Sequence, residues 1–419
     1  MLQQFTFENF KSFKDEVTLD LIASPISEHK SDIAVDVYDE KVLKVISIFG
    51  ANASGKSNII KAFNYMKRFV LLSFSQDNFL ENNLFKVDKF RFENENRPSS
   101  FEVLFSLNQD VYQYGFSMNH EKILEEYLYI RKSTTRKEQF NTLFYLQNGE
   151  IQELDENIGE ATELVKLMDQ RTLFLSLASK LKIPVIRTVF DWFKNSVVIN
   201  YGDESYRERV LFVGRQSSPL VSIIKDKERK TELTRFVKAI DLGIENFGLI
   251  ENPMLNELDS AKDIQYQVVT YHKNIDDGKL VPVPLSSESS GTRKMISLFI
   301  QINEAIKKGD TVFVDELDAK LHPLLLRYII ILFHDINKNP NNAQLIFTTH
   351  DVFTLDKDNF RRDEIWFVDK DKNGVSDLYS LDSYVFEDEE GATKKIRKDA
   401  SYGRDYILGK YKSIPKLKR

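Results

Sequence analysis

The sequence contains no cysteine among its 419 residues. This absence excludes disulfide bonds, thiolate metal sites and thiol nucleophiles, and it argues against a zinc site. It is also compatible with a reducing compartment.

Long hydrophobic runs are missing as well. No apolar stretch approaches the roughly 18 to 20 residues that a membrane-spanning helix needs. The first ten residues, MLQQFTFENF, alternate as an amphipathic strand does and do not resemble a secretory signal. We therefore expect a cytoplasmic protein without a membrane partner.

An excess of positive charge is missing too, because the formal net charge is -6. Such a chain has no general attraction to nucleic acid, so any contact with DNA or RNA requires a local basic patch. One candidate is the segment 394–419, where ten Lys and Arg residues face two Asp residues. This segment is either a solvated tail or a site for nucleic acid or a partner. The composition slightly favours the solvated, poorly ordered tail.

The chain does contain a phosphate-binding motif. Residues 50–57 read GANASGKS after the nearly unbroken apolar run 42–49, and a helix-like stretch, 58–74, follows. The Walker A pattern G-x-x-x-x-G-K-[ST] turns successive backbone N–H groups inward around phosphate oxygens, while its lysine reaches the β and γ phosphates and its hydroxyl residue ligates Mg²⁺. The predicted ATP-binding residues here are Gly50, Asn52, Ala53, Ser54, Gly55, Lys56, Ser57 and Asn58, with Ser57 also a Mg²⁺ ligand.

A second apolar strand, 311–314, ends in Asp315 and Glu316, which is typical of a Walker B motif. The two acids have different tasks. Asp315 is predicted to hold Mg²⁺, and Glu316 to orient and deprotonate the attacking water.

Residues 288–294, ESSGTRK, open a stretch with helical apolar spacing. A helix N-terminus presents free N–H groups and a positive dipole, so Ser289, Ser290, Gly291 and Thr292 are candidates for contact with a γ-phosphate. A purely structural helix cap is the alternative.

A third strand, 344–348, leads to His350. A histidine after a strand parallel to the Walker B strand can reach the γ-phosphate and the attacking water, so His350 is predicted to be a catalytic sensor of intact ATP. The order of the motifs, from phosphate loop to capped helix, Walker B strand and histidine, favours a functional reading of each.

Together with the N-terminal residues Asn9-Phe10-Lys11-Ser12-Phe13, these motifs resemble the ABC-type ATPase head of SMC proteins and DNA-repair ATPases. The resemblance implies an α/β fold, a P-loop ATPase head whose mixed sheet carries an antiparallel lobe, with a mainly helical insertion. It also implies an ATP-sandwich homodimer or higher homo-oligomer, in which the signature Ser289 to Thr292 acts on the partner's ATP. Asp318 would lie in the interface loop, and Lys11 and Ser12 would contact ATP. Ser290 stands where the signature usually has its first glycine, and the long SMC coiled coil is missing.

Both departures resemble a narrower group, the compact ATPases of bacterial anti-phage defence of the RloA-like, AbiL-like and PARIS types, in which D-E-[LI]-D-x-x-L-H-P is usual. Residues 315–323, DELDAKLHP, fit that pattern. The resemblance implies an ATP-hydrolysing switch of abortive infection that controls a separate effector, often a Toprim-type nuclease. A DNA-binding or DNA-tethering ATPase of the repair type is the alternative.

A nuclease within the chain itself is the weakest hypothesis, since too few residues follow His350 for a Toprim domain. The run D-x-D-x-N-G at 369–374 resembles the start of a calcium loop, but its twelfth position is Ser380 where a bidentate Glu is needed. The run also joins two strand-like stretches, so we predict a hairpin turn.

The sequence divides into three predicted parts. Residues 1–148 form the first part of the ATPase head, with short strands of an antiparallel meander. Residues 149–263 are the mainly helical insertion, with helical patterns at 160–182, 184–195 and 225–240, and are the expected partner surface. Residues 264–419 complete the head and end in the basic tail. Our only suggestion for the Q-loop is 86–92.

Overall fold

The computed structural model describes residues 1–74, 86–93, 97–132, 139–166, 168–181, 183–202, 218–238, 243–251, 266–319, 321–387 and 393–414. Residues 167, 182, 203–217, 239–242 and 252–263 of the predicted insertion and 415–419 of the predicted tail lie outside the described residues. The strands are β1 (Leu2–Glu8), β2 (Val17–Asp20), β3 (Ile33–Val35), β4 (Lys41–Leu43), β5 (Val45–Gly50), β6 (Ser99–Leu107), β7 (Asp110–Met118), β8 (Ile123–Lys132), β9 (Asn141–Gln147), β10 (Glu150–Leu154), β11 (Val197–Asn200), β12 (Ile244–Glu251), β13 (Tyr266–Lys273), β14 (Leu280–Pro284), β15 (Thr311–Asp315), β16 (Gln344–Thr348), β17 (Ile365–Lys370), β18 (Ser376–Ser380), β19 (Val385–Glu387) and β20 (Thr393–Lys395). The α-helices are α1 (Lys56–Leu72), α2 (Thr162–Val165), α3 (Phe174–Ala178), α4 (Pro184–Asn195), α5 (Pro219–Lys225), α6 (Lys227–Lys238), α7 (Ser290–Lys308), α8 (Pro323–His334) and α9 (Tyr402–Ile407).

A six-stranded sheet carries the predicted catalytic strands in the order β11-β15-β16-β5-β17-β18. Strands β15, β16, β5 and β17 are parallel, and β18 returns antiparallel to β17. Every residue of β5, β15 and β16 is buried, which is why these strands appear in the sequence as continuous apolar runs. The predicted strands and the hairpin after β17 are therefore confirmed, and the carboxyl ends of the four parallel strands meet at one edge.

A separate seven-stranded sheet has the order β10-β9-β8-β7-β6-β1-β2, with antiparallel pairing throughout. It confirms the predicted N-terminal strand and the antiparallel meander. Helix α1 packs against both sheets through Phe63, whose ring stacks on Phe313 of β15 at 3.9 Å and meets Phe5 of β1 edge-on at 5.4 Å. The helix that follows the phosphate loop is thus held in a shared aromatic core.

The chain forms two compact units, one of Met1–Val198, Ile306–Asp318 and Leu326–Arg419, the other of Ile199–Ala305 and Ala319–Leu325. The second unit contains the antiparallel sheet β12-β13-β14. Its core gathers apolar residues of α5, α6 and the first half of α7, including Leu233, Phe236 and Ile296. These limits differ from the three-part division of the sequence, which stays a prediction.

One helical prediction differs from the structure. The pattern at 160–182 forms two short helices, α2 and α3, instead of one long helix. The prediction at 184–195 is confirmed by α4, and that at 225–240 corresponds to α6.

The basic C-terminal segment is also ordered further than expected. Tyr402, Tyr406 and Tyr411 are buried. Tyr406 stacks on Phe367 of β17 at 5.4 Å, and the Tyr379 hydroxyl of β18 donates to the Tyr411 carbonyl at 2.6 Å. The favoured interpretation of a solvated, poorly ordered tail is therefore wrong for residues 402–414, because their aromatic side chains pack on β17 and β18.

Candidate nucleotide-binding site

The loop after β5 depends on its two glycines. Gly50 has φ +154°, and a Cβ there would lie 2.5 Å from the Val368 carbonyl oxygen on β17. Gly55 has φ +121°, and its Cβ would lie 2.6 Å from Ser376 Oγ and 2.8 Å from Ser12 Oγ. The loop is therefore pressed against its neighbours so closely that only glycine fits at both positions.

Lys56, the first residue of α1, points its ammonium group back into this loop. Its Nζ donates to the carbonyl oxygens of Gly50 at 2.8 Å and Ala51 at 3.0 Å. Burial lowers the pKa of the Lys56 ammonium to about 8, while the nearby carboxylates of Asp315, Asp318 and Glu316 oppose that shift. One buried cation thus lies between the phosphate loop and all three acids of the Walker B region.

Thr348, the last residue of β16, holds the two Walker B acids in place. Its hydroxyl donates to Asp315 Oδ1 at 2.7 Å and accepts from the Glu316 N–H at 2.7 Å. Glu316 has φ +53°, a left-handed conformation that is uncommon outside glycine, asparagine and aspartate. Its side chain is exposed while Asp315 is buried, so the strained turn separates the directions of two adjacent carboxylates.

His350 follows β16, the strand that lies between β15 and β5. Partial burial lowers the pKa of the His350 imidazole below its usual value, and the Lys56 ammonium adds to this effect. The ring is therefore neutral near pH 7. It borders an open cleft of about 640 Å³ that also contains Phe353, Arg404 and Ile407.

Two buried oxygens at this edge have no hydrogen-bond partner within the described part of the chain: Ser54 Oγ in the loop and Asp318 Oδ1 after β15. Unsatisfied buried polar atoms are costly, and they are found where a ligand supplies the missing bonds. With the glycine-lined loop and the buried ammonium, they fit a nucleoside triphosphate.

The predicted metal ligands fit Mg²⁺ that arrives with a nucleotide. Ser57 and Asp315 offer one hydroxyl and one carboxylate, and Mg²⁺ in nucleotide sites is usually held by one or two carboxylates together with phosphate oxygens. In the described ranges, no group of three or more His, Asp and Glu side chains could hold a metal ion by itself.

The protein family described as "AAA domain, putative AbiEii toxin, Type IV TA system" matches residues 45–356. The match begins with β5 and includes the phosphate loop, Asp315, Glu316 and His350. This chain belongs to that family of AAA domains. The membership confirms an AAA-type P-loop ATPase domain in a mixed α/β fold and a link to abortive infection. No curated protein matches the chain, and the RloA-like, AbiL-like or PARIS-type assignment stays a prediction.

The two N-terminal residues predicted to contact ATP, Lys11 and Ser12, have different partners. Ser12 Oγ accepts from the Asn58 amide at 2.8 Å, so Ser12 is joined to the first turn of α1. Lys11 instead forms an ion pair with Asp88 in the segment 86–93. ATP contacts by Lys11 and Ser12 stay predictions, as does the Q-loop at 86–92.

The signature residues lie at the start of α7 in the second unit, as the sequence predicts. Ser289 caps this helix, since its Oγ accepts from the Thr292 N–H at 3.0 Å. Glu288 accepts from the Thr270 hydroxyl and, at 2.7 Å, from His272 Nε2, which ties the signature to β13. A Cβ on Gly291 would meet only Ser289 Oγ at an ordinary 3.6 Å, so nothing described within this unit requires glycine there.

Sequence reasoning missed Thr348 and Ser376. Thr348 carried a weak signal, a hydroxyl residue at the end of a buried strand just before His350. Ser376 carried none, because its role depends on the packing of β18 beside the loop. Its hydroxyl bonds the Ser54 carbonyl, and its N–H donates to the Ser12 carbonyl at 2.8 Å.

The run at 369–374 is a turn between β17 and β18. Asp371 Oδ1 accepts from the N–H groups of Asn373 and Val375, both at 2.8 Å, which is how aspartate stabilises tight turns. The predicted hairpin is confirmed. Finally, no helix in the described part of the chain has the length and apolarity needed to cross a membrane.

Proposed function

We propose that this AAA-domain protein is a Mg²⁺-dependent ATPase that acts as a switch in bacterial anti-phage defence. One observation carries the proposal. Three neighbouring parallel strands, β15, β16 and β5, bring the acids Asp315 and Glu316, the histidine His350 and the phosphate loop to the same edge of one sheet. That arrangement supplies the separate parts that phosphoryl transfer requires.

Each side chain has a defined task in this proposal. The loop N–H groups and the Lys56 ammonium bind the phosphates. Ser57 and Asp315 would hold Mg²⁺, which would offset phosphate charge. Glu316 is exposed and positioned by its strained backbone, so it can orient a water molecule and accept its proton. His350 is neutral, so one ring nitrogen can accept and the other donate a hydrogen bond near the terminal phosphate.

We further propose that two copies of the chain enclose ATP between them, as a homodimer or part of a higher homo-oligomer. Gly291 supports this, because its own unit leaves space beside its Cα that a close partner could use. The positive dipole at the start of α7 suits a partner's γ-phosphate. The unpartnered Asp318 Oδ1 supports an interface role for that residue.

We assign the output of the switch to a separate effector protein in the cytoplasm. The resemblance of the chain to the defence ATPases favours a Toprim-type nuclease as this effector. The family's link to abortive infection supports a defence role. Purification of Glu316→Gln from its native host with ATP, followed by mass spectrometry, tests this. A stoichiometric nuclease-like protein would support the proposal, and recovery of nucleic acid without a protein partner would contradict it.

The ATPase itself is tested with two variants and a control on the same helix. Lys56→Ala should lose ATP binding, and Glu316→Gln should bind ATP but not hydrolyse it. Lys61→Ala removes an exposed lysine of α1 and should behave as the wild type. Normal turnover in both Lys56→Ala and Glu316→Gln would contradict the proposal.

A DNA-binding ATPase of the repair type is the second candidate, and α6 gives it a specific observation. One face of α6 and the start of β12 line an open groove of about 540 Å³ that contains Lys227, Lys230, Arg235 and Lys238 against a single carboxylate, Glu245. The opposite face is buried through Leu233, Phe236 and Val237. This groove is a better candidate for phosphate backbone contacts than the partly packed C-terminal segment.

The salt dependence of duplex DNA binding distinguishes a role of the α6 groove from a role of the basic C-terminal segment. Replacing the four groove cations by Gln should remove up to about four phosphate contacts. Each contact contributes about 0.9 to the slope of log affinity against log salt, so the slope should become shallower. The matched control replaces Lys394, Lys395, Arg397 and Lys398. An equal slope in wild type and groove variant would contradict a role of α6, and absence of DNA binding at low salt would exclude this second candidate.

A further inference from the structure

The strand order determines which way a bound nucleotide extends, an inference that rests on the proposed function. The groups that act on the terminal phosphate follow β15 and β16, which lie on one side of β5. Because the terminal phosphate must face those groups, the nucleoside extends toward the other side of β5. The next elements there are β17 and its hairpin partner β18.

The turn of this hairpin is rigid and fixed to the phosphate loop. Asp371 closes the turn through two backbone hydrogen bonds, and Ser376 bonds the Ser12 and Ser54 carbonyls. Gly374 lies two residues before Ser376, about 7 Å along the chain at the rise of an extended strand. The turn therefore offers a fixed surface within about one nucleoside's length of the loop.

An exposed aromatic ring lies on that surface. A Cβ on Gly374 would be 3.3 and 3.4 Å from two ring carbons of Phe92, so the ring rests against the bare glycine backbone. Phe90 meets the same ring edge-on, with centroids 5.6 Å apart. Nevertheless 78% of Phe92 is exposed.

The segment that carries Phe92 is tethered close to the ring. The Phe90 N–H donates to Asn9 Oδ1 at 3.1 Å, and the Lys11 N–H donates to the Asp88 carbonyl at 2.6 Å while the two side chains pair. A ring that rests on Gly374 and is bordered by Phe90, with most of its surface exposed, needs little ordering when a flat ligand binds.

We propose that Phe92 stacks on the base of the bound nucleoside triphosphate. Aromatic side chains stack on bases through their π faces, and every base has such a face. Phe92 is then the residue that makes this site prefer nucleotides over bare polyphosphate, with little discrimination between ATP and GTP.

Equilibrium binding by the full-length chain with Mg²⁺ tests this, using ATP, GTP and inorganic tripolyphosphate as ligands. Phe92→Ala should weaken ATP and GTP alike, by about ten-fold or more in Kd, and leave tripolyphosphate unchanged. Phe92→Tyr should restore the affinity. Phe140→Ala, at a partly exposed phenylalanine before β9, is the matched control and should match the wild type.

A fluorescence measurement gives a second readout that is independent of turnover. Trp at position 92 in the Phe92→Trp variant should change its emission on addition of Mg²⁺ and ATP, but not on addition of Mg²⁺ and tripolyphosphate. The wild-type chain, with Trp192 and Trp366, supplies the background, and Phe140→Trp should show no further change.

Unchanged ATP affinity in Phe92→Ala would overturn the inference. Equal losses for ATP and tripolyphosphate would also overturn it, because they would show that the substitution disturbs the loop and not the base contact. If Lys56→Ala abolishes binding in the same assay, the proposed function survives either result. If the wild type binds none of the three ligands, the proposed function and the stacking both fail.

Discussion

Strand β5 has a buried lysine at each of its ends, and the two lysines have opposite surroundings. Lys44 precedes the strand and is fully buried, while Lys56 follows the phosphate loop and is 6% exposed. Burial lowers the pKa of both ammonium groups, and nearby carboxylates oppose the shift at both. The difference lies in how completely the neighbouring polar atoms are satisfied.

At the amino end the polar groups satisfy one another. Lys44 Nζ donates to the His334 carbonyl at 2.5 Å, and His334 Nε2 lies 2.9 Å from Glu364 Oε1. The other Glu364 oxygen accepts from the Arg361 N–H at 2.9 Å. Lys44, His334 and Glu364 thus bond one another or the adjoining backbone, so their contribution is structural. The neighbouring Glu28 Oε2 is the exception, since it has no partner in the described residues.

At the carboxyl end the same chemistry is left incomplete. Ser54 Oγ and Asp318 Oδ1 have no partner in the described residues, Glu316 has a strained backbone, and both Glu316 and His350 are exposed. A buried charge alone therefore does not mark a binding site. Unsatisfied polar atoms beside the buried charge, next to exposed residues such as Glu316 and His350, do mark one.

Exchange of each lysine for alanine gives the largest expected contrast. Lys44→Ala leaves the buried His334 carbonyl without its donor and removes a positive charge near Glu364 and Asp32, so it should lower the free energy of unfolding by about 1 to 3 kcal/mol. Lys56→Ala should keep the wild-type melting temperature or exceed it, yet lose at least about 100-fold in ATP turnover. Denaturant unfolding and phosphate release measure the two effects, and similar stability losses in both variants would break the comparison.

Thr348 should matter for turnover more than for binding, because it positions Asp315 and Glu316 through its hydroxyl. Thr348→Val keeps the shape and removes both hydrogen bonds, so kcat should fall about 10- to 100-fold with little change in the Kd for ATP. Thr348→Ser should retain most of the activity. Equal losses in kcat and affinity would assign Thr348 a general structural role instead.

The lowered pKa of Lys56, about 8, predicts a pH effect on the carboxyl end. As pH rises through about 8 the free enzyme loses the positive charge that binds phosphate, so kcat/KM for ATP should fall. At saturating ATP, kcat should persist to higher pH, because bound phosphates favour the charged lysine. If Lys56→Arg is active, its profile should be flat over this range, and a flat wild-type profile up to about pH 9 would contradict the assignment.

The amino end should respond to pH through stability, and more weakly. Although burial lowers the pKa of His334, Glu364 and Asp32 together raise it above its usual value. The stabilising charge is therefore fully present below about pH 6.5 and is lost as pH rises through the folded-state pKa. The free energy of unfolding should fall between about pH 6 and 8, by on the order of 1 kcal/mol per unit of pKa shift, and the melting temperature should fall with it. His334→Gln should remove this pH dependence.

Elements with strong local patterns could be predicted, and those that depend on distant contacts could not. Strands β5, β15 and β16 are apolar along their whole length, so their position followed from the sequence. The segment 402–414 looked like part of a basic tail because ten Lys and Arg residues lie in 394–419. Tyr406 and Tyr411 are nevertheless buried against Phe367 of β17. No pattern in the residues next to those tyrosines predicts that contact.

By itself the sequence determined the phosphate loop, the acids after β15 and the histidine after β16, because each is a short motif next to a strand with its own apolar signal. Only the tertiary structure decided that β16 lies between β15 and β5, that Thr348 and Ser376 brace the site, and that Phe92 rests on Gly374. The physical reason is that strand order and side-chain contacts depend on groups far apart in the chain, and no local pattern encodes which of them meet.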